Sequence, residues 1–200
     1  QRRCCRRGMP QDDGSETTLP IDSTMTKQNG NIARRSAARL AAVQALYEID
    51  MVGAPATPVL KEFLAKRWSD ATPIDQDDPE RDVTGESPPD LPNPEQRFLK
   101  RLVNGVTENT APLDDTMASH LNAPWSVGHL ETLVRAILRA GAFELQHCPD
   151  VGARTIISEY VGLSHAFFNE NEPALINAVL DSLAKQFRSD EVSQNSTHSS

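Results

Sequence analysis

The stretch NIARRSAARLAAVQALYEID, residues 31–50, decides the fold class. Its apolar residues recur at the spacing of about three to four residues that is typical of an amphipathic helix. One face is small and consists of Ala37, Ala38, Ala41 and Ala45, and the neighbouring stripe consists of Leu40, Val43, Leu46 and Tyr47. We predict a helix over residues 34–51 whose alanine face lets a second helix approach closely.

The rest of the chain is also predicted to be helical. Hydrophobic residues make up 38% of the sequence but aromatic residues only 5%, so the core must consist mainly of aliphatic side chains and alanine. Further apolar stripes predict helices over 59–68, 94–109, 113–121, 126–147, 156–167 and 173–187, and Pro173 suits the first turn of the last one. Because no alternating strand pattern competes, the predicted class is all-α, a bundle of about seven helices.

We expect one helical domain at residues 26–188, which contains an acidic, proline-rich loop at 69–94. Residues 1–25 and the polar tail 189–200 have no hydrophobic period and are predicted to be disordered. No apolar run approaches the roughly 18 residues of a membrane span. The three cysteines lack metal-ligand spacing, which favours a reduced, cytoplasmic setting.

The sequence contains none of the common catalytic motifs. A glycine-rich phosphate loop, a G-x-S-x-G element and an H-E-x-x-H helix are all missing. The five histidines are dispersed and none has a ligand partner at metal-binding spacing. We therefore expect no catalytic residues, no cofactor and no metal, which argues against an enzyme.

The distribution of charge is the strongest functional signal. The chain carries a formal net charge of −8, yet residues 26–66 hold six Lys or Arg against three Asp or Glu. Arg34 and Arg35 open the predicted first helix, where cations oppose the helix macrodipole unless an anion binds. A phosphate group would accept from the free N–H groups and pair with the guanidinium forks. The alternative is that both arginines are simply solvated, and Arg39 could equally form an internal ion pair or contact phosphate.

A second basic cluster lies in PEQRFLKRL, residues 94–102, where Arg97, Lys100 and Arg101 surround Phe98. Single-stranded nucleic acid binds to such arrangements, with phosphates on the cations and a base on the ring. The alternative is that Phe98 belongs to the core and the cations face solvent. Both clusters predict RNA binding.

The same stretches resemble the NusB family of transcription antitermination factors. RRSAARLAAVQALYEID is similar to the first helix of that family, and FLKRLVNGVTENTAPLDDTM is similar to its middle helix and following turn. The last three helices are matched by LVRAILRAGAFEL, TIISEYVGLSHAFF and ALINAVLDSLAKQF. The resemblance covers roughly residues 26–188, in order.

The resemblance implies an all-α fold of two helical sub-bundles and a non-catalytic role. It implies binding to the boxA element of ribosomal RNA operons together with NusE, a ribosomal small-subunit protein, in an antitermination complex with RNA polymerase. It also implies an RNA-facing surface, which we assign to Arg34, Arg35, Arg39, Phe98, Lys100 and Arg101. Whether the free protein forms a homodimer is left open.

Several positions depart from the family pattern. Ala178 stands where the family usually has glycine, so we expect different packing there, and Gly152 replaces a usual proline. Ser36 and Ala37 reduce the number of basic residues that follow Arg35. The acidic insert at 69–94 is longer than the connection expected in the family. Two alternatives stay open: a detached NusB-like domain of a ribosomal RNA cytosine methyltransferase, and a helical scaffold that binds protein only.

Overall fold

The computed structural model describes residues 23–67, 92–122, 125–169 and 171–194. Within these ranges the chain forms helices and no strands, which confirms the all-α prediction. The elements are α1 (Ser23–Val52), α2 (Ala56–Arg67), α3 (Gln96–Glu108), α4 (Thr110–Ala118), a 3₁₀ turn (Val127–His129), α5 (Thr132–His147), α6 (Ala153–Ser164), α7 (Glu172–Phe187) and α8 (Ser189–Gln194). No helix among these is both long enough and apolar enough to cross a bilayer.

Helix α5 is the centre of the bundle. It packs against α1, α3, α4, α6 and α7, while α1, α2 and α3 also contact one another. The result is an N-terminal group of helices and a C-terminal group that share α5. Small residues make this dense packing possible, since a Cβ added at Gly141 in α5 would lie 2.8 Å from Leu180 Cδ2 in α7.

The alanine face of α1 is buried as predicted. Ala38, Ala41 and Ala45 have no exposed surface, and α1 packs against both α3 and α5. Tyr47 lies outside this contact and is 39% exposed, so the predicted stripe of larger residues is only partly in the core. The alanines bring the helix backbones close together, and this closeness places the arginines of α1 beside α3.

Three parts of the helical structure differ from the sequence prediction by more than three residues. Helix α1 begins at Ser23 rather than at residue 34, because the polar segment before Arg34 contains no proline and continues the helix. The helix predicted over 126–147 is interrupted, since Leu130 and Glu131 are extended and Ser126 Oγ bonds to His129 Nδ1 at 2.7 Å to close a separate turn. Residues 189–194, predicted to be part of a disordered tail, form α8.

Other predicted segments fall outside the described residues. These are residues 1–22, most of the acidic loop and the last six residues of the chain. Ala178 is exposed on α7, so the alanine found in place of the family's usual glycine meets no neighbouring helix. Gly152 is the residue that precedes α6, and its backbone is extended.

Substituting Gly105 tests the contact between α3 and α5. A Cβ at Gly105 would overlap the ring of Phe143, which is enclosed by the core. We expect Gly105→Ala to lower the free energy of unfolding by ~1–3 kcal/mol, measured by urea denaturation, because the ring must shift in a packed interior.

Gly162→Ala is the matched control, since Gly162 lies in α6 and an added Cβ there meets nothing within 4 Å. This variant should be neutral or more stable by up to about 1 kcal/mol, because alanine is the better helix former. Equal stability changes in the two variants would contradict the described packing of Gly105 against Phe143.

Candidate functional site

The arginines of α1 do not lie in its first turn. Arg34 and Arg35 are well inside the helix that begins at Ser23, so their backbone N–H groups are not the free donors of a helix start. The prediction that a phosphate would bind to free N–H groups beside these arginines is therefore wrong. Any anion bound here must be held by side chains.

Helix α1 instead organises the segment that leads into α3. Arg34 is exposed, and its Nε donates to the carbonyl oxygen of Asn93 at 3.2 Å. In return the N–H of Glu95 donates to the carbonyl oxygen of Arg34 at 3.1 Å. These two bonds fix the end of the acidic loop against α1 and bring Glu95 next to Arg35.

Arg35 is half-buried and already has two carboxylate partners. Its Nε donates to Glu95 Oε2 at 3.1 Å, and its Nη1 donates to Asp150 Oδ2 at 3.2 Å. Its guanidinium carbon also lies 5.2 Å from the centroid of the Phe98 ring, which is cation–π distance. Arg35 is thus held in a fixed orientation at the surface, with solvent on one side.

Phe98 is 4% exposed, so the structure matches the alternative in which it belongs to the core. The guanidinium carbon of Arg39 lies 5.3 Å from its ring centroid, close to the distance found for Arg35. Phe98 therefore supports two arginines instead of presenting an open face for a base. Its contribution to the site is to orient Arg35.

Arg39 occupies the interior, which is the ion-pair alternative of the sequence prediction. It is 3% exposed, and its Nε and Nη2 form a bidentate pair with the carboxylate of Glu144 in α5, which is fully buried. Its Nη1 also donates to Glu159 in α6 at 3.2 Å, and the Tyr160 hydroxyl donates to Glu144 at 3.0 Å. Arg39 is therefore enclosed by carboxylates and does not face solvent.

The electrostatics of this buried group favour its charged state. Burial is the largest single influence and lowers the pKa of Arg39, but the hydrogen bonds and charge of Glu144, together with Tyr160 and the charge of Glu159, outweigh it and raise the pKa above its ordinary value. Burial, reinforced by the Glu144 carboxylate, raises the pKa of Tyr160 well above the usual tyrosine value. The arginine thus stays cationic and the tyrosine stays a neutral hydrogen-bond donor.

An open groove with a volume of about 800 Å³ lies beside Arg35 and along the exposed face of α3. The residues that line it are Arg35, Glu95, Arg97, Phe98, Lys100, Arg101, Asn104, Gly105, Glu108, Asn109, Phe143 and His147. We call it the basic groove, because this lining has four cationic arginines and lysines against two carboxylates. Six residues were predicted to face RNA, and four of them line the basic groove: Arg35, Phe98, Lys100 and Arg101. Of the other two, Arg34 is next to Arg35 in the chain, and Arg39 is buried against the Phe98 ring.

Arg101 and Lys100 extend the cationic surface from Arg35. Lys100 is exposed, and Arg101 has 47% of its side-chain surface exposed. Arg101 Nη2 donates to the carbonyl oxygen of His147 at the end of α5, and its Nη1 lies 3.9 Å from Asp150 Oδ1. Asp150 is therefore shared between Arg35 and Arg101.

The acidic residues of the site were not predicted from the sequence. Asp150 meets Arg35 across 115 positions of sequence, and no local pattern signals this contact. Glu95 could have been noticed, because it directly precedes the basic cluster in PEQRFLKRL. Among the described residues, no group of three or more His, Cys, Asp or Glu side chains is arranged to hold a metal ion.

Removing the Arg39 side chain tests the buried ion pair. Arg39→Ala leaves the Glu144 carboxylate buried without a cation, and we expect it to lower the free energy of unfolding by ~3–5 kcal/mol in urea denaturation. Arg34→Ala is the control, because Arg34 is exposed and should change stability by no more than about 0.5 kcal/mol. Similar small effects of both variants would contradict the internal role of Arg39.

Cys148 provides a test of the packing at the end of α5. The thiol has no exposed surface, and burial raises its pKa from 9.0 to about 11. We expect Cys148 to resist iodoacetamide at about pH 8 in the folded protein and to react after unfolding, read by mass spectrometry of its peptide. Rapid labelling of the folded protein would contradict the burial of the thiol.

The raised pKa of Cys148 also makes stability depend on pH. Because the pKa is higher in the folded state, the stability that this thiol contributes is present below pH 9.0 and is lost as the pH rises through about 11.

Comparison with known proteins shows which family the chain resembles in sequence. The NusB family model matches residues 36–185. The transcription antitermination protein NusB of Bradyrhizobium sp. (strain BTAi1) is 41% identical over 173 residues, which cover 86% of this chain and 92% of that protein. The corresponding protein of Sinorhizobium fredii is 37% identical and is covered over 96% of its length.

Solved structures show the same fold at lower identity. T. maritima NusB is 21% identical with a TM-score of 0.61, covering 80% of this chain and 96% of that one. The NusB chain of a complex of antitermination factors NusB and NusE with double-stranded RNA is 21% identical with a TM-score of 0.58, covering 77% and 98%. Since the family model spans the helical domain and the relatives align over nearly their whole length, this chain belongs to the NusB family.

Proposed function

We propose that this chain is a transcription antitermination factor, which binds boxA-type RNA of ribosomal RNA operons together with the ribosomal protein NusE. It helps RNA polymerase read through terminators and catalyses no reaction, and it works in the cytoplasm, where nascent RNA is made. The observation that carries the proposal is the basic groove, which concentrates positive charge on a chain whose net charge is −8.

The geometry of the basic groove suits a phosphate backbone. Arg35, Lys100 and Arg101 expose cationic groups along one side, and guanidinium forks pair with phosphate oxygens through charge-assisted hydrogen bonds. Asn104 and Asn109 add neutral donors and acceptors within reach of a bound strand. We assign the phosphate contacts to Arg34, Arg35, Lys100 and Arg101, and a supporting role to Arg39 and Phe98.

The comparisons support the two partners. The 21%-identical complex named above contains NusE and RNA along with its NusB chain. Relatives at about 40% identity carry the name transcription antitermination protein. The alternative of a detached methyltransferase domain receives no support from these relatives, because they align to this chain over nearly their full length and share its antitermination name.

Titration with RNA at several salt concentrations tests the proposal. Three neutralised phosphates on a single strand predict that log K falls with log salt at a slope of about −2. We expect Arg34→Ala combined with Arg35→Ala to weaken binding and to make this slope shallower, with unchanged helicity by circular dichroism. Addition of NusE should tighten the binding of RNA to the unmodified chain.

Lys185→Ala is the matched control for this experiment. Lys185 lies on the exposed face of α7, pairs with Asp181 and does not line the basic groove. The slope and the affinity of this variant should equal those of the unmodified chain. No RNA binding with or without NusE would reject the proposal and favour the protein-only scaffold.

The carboxylate of Asp150 gives an independent prediction about the same groove. It pairs with Arg35 and Arg101 where a phosphate oxygen would bind, so RNA must displace the Asp150 carboxylate from these arginines. Asp150→Asn should therefore strengthen RNA binding, by up to about fivefold if its two exposed ion pairs are together worth no more than about 1 kcal/mol. Weaker binding by this variant would show that Asp150 helps to bind RNA.

A further inference from the structure

Arg188, directly after α7, bonds to the backbone at the end of α5. Only 8% of its side-chain surface is exposed. Its Nε donates to the carbonyl oxygen of Leu145 at 2.8 Å, and its Nη2 lies 3.4 Å from that of Glu144. Both carbonyls belong to the last helical turn. That of Glu144 also accepts from the N–H of Cys148 at 3.0 Å, whereas that of Leu145 faces Pro149, which has no N–H, and is satisfied here by the cation.

The same guanidinium reaches beyond the helix into the turn at residues 148–151. Its Nη2 donates to the carbonyl oxygen of Cys148 at 2.8 Å, and its Nη1 donates to that of Val151 at 3.0 Å. The N–H of Val151 closes the turn on the carbonyl oxygen of Cys148 at 3.1 Å. Arg188 thus holds the backbone on both sides of Asp150.

A second side chain keeps Arg188 in place. Glu191 in α8 accepts from Arg188 Nη1 at 2.9 Å with one carboxylate oxygen. With the other it accepts from the N–H of Ala153 at 2.9 Å, in the first turn of α6. The end of α5, the turn and the start of α6 are therefore fixed by one arginine–glutamate pair.

The turn in question supplies the shared carboxylate of the basic groove. Asp150 Oδ2 lies 3.2 Å from Arg35, and its Oδ1 lies 3.9 Å from Arg101. A helix cap alone would need only the carbonyls of the last turn of α5. The additional bonds to Cys148 and Val151 restrict the two residues between them, Pro149 and Asp150. A planar guanidinium can make all of these bonds, while a lysine ammonium cannot.

We propose that Arg188 is a positioning residue for the basic groove. It fixes the turn at residues 148–151 and thereby sets how strongly Asp150 pairs with Arg35 and Arg101. The inference rests on the proposed function, because its consequence is a change in RNA affinity. It assigns to the C-terminal end of the domain an influence on a groove formed mainly by α3, with residues of α1 and α5.

Arg188→Lys is the decisive variant, because it keeps the charge and removes the fork. Loosening the turn weakens the pairing of Asp150 with Arg35, so a labelled single-stranded boxA-type RNA should bind about twofold more tightly, which is a smaller gain than that of Asp150→Asn. In an Asp150→Asn background the same substitution should change the affinity by no more than experimental error. Lys185→Arg, a conservative exchange on the exposed face of α7, is the control and should have no effect in either background.

Alkylation of Cys148 reports on the turn without RNA. Arg188→Lys should raise the rate at which iodoacetamide labels the Cys148 peptide, because the turn that covers the thiol opens more often. Should this variant fail to fold, Glu191→Gln replaces it, since the amide keeps a hydrogen bond to Arg188 but loses the charge; it should shift both readouts in the same direction and by less.

The outcomes separate the inference from the proposed function. RNA binding by the unmodified chain, with no change in affinity on Arg188→Lys, would overturn the positioning role and leave the proposed function standing. A change that persists in the Asp150→Asn background would show that Arg188 acts by another route and would also overturn it. No RNA binding by the unmodified chain would overturn the proposed function and the inference together.

Discussion

The buried ion pair between Arg39 and Glu144 is the constraint on which the rest of the site depends. Both side chains are removed from water, so each needs the other and the remaining polar atoms need partners. Glu159 and Tyr160 supply those partners from α6, which ties three helices together at one point. Such a group tolerates little change in the relative position of α1, α5 and α6.

The surface of the site follows from this interior. Phe98 packs on the Arg39 guanidinium, and Arg35, one helical turn before Arg39, lies near the same ring. The contact with Phe98 therefore orients Arg35 toward the groove before any ligand binds. A preorganised cation loses less side-chain entropy on binding, so the fixed orientation favours phosphate binding.

The groove is also restrained by its own carboxylates. Glu95 and Asp150 partly neutralise Arg35, and Asp150 reaches Arg101 as well. Exposed ion pairs of this kind are weak and are screened by salt, so RNA phosphate can replace them at moderate cost. The RNA site proposed above would therefore bind a backbone reversibly, which suits a factor that must assemble on nascent RNA and leave it again.

The sequence predicted what is encoded locally. Helical periodicity gave the all-α class, the alanine face of α1 and the start of α7 near Pro173, because each depends on residues within a few turns of one another. It failed where partners are distant: Asp150 on Arg35 and Glu144 on Arg39 join residues more than a hundred positions apart. The start of α1 was missed because the polar segment from Ser23 has no apolar stripe to reveal it.

The division of labour between Arg35 and Arg39 is the central claim, and the side-chain Nε–H resonances of the two arginines test it most directly. RNA is added to the folded protein while both signals are followed by NMR. We predict that the Arg35 signal shifts as phosphate replaces its carboxylates, while the Arg39 signal stays in place because its partners are internal. Movement of the Arg39 signal with an unchanged Arg35 signal would contradict the account.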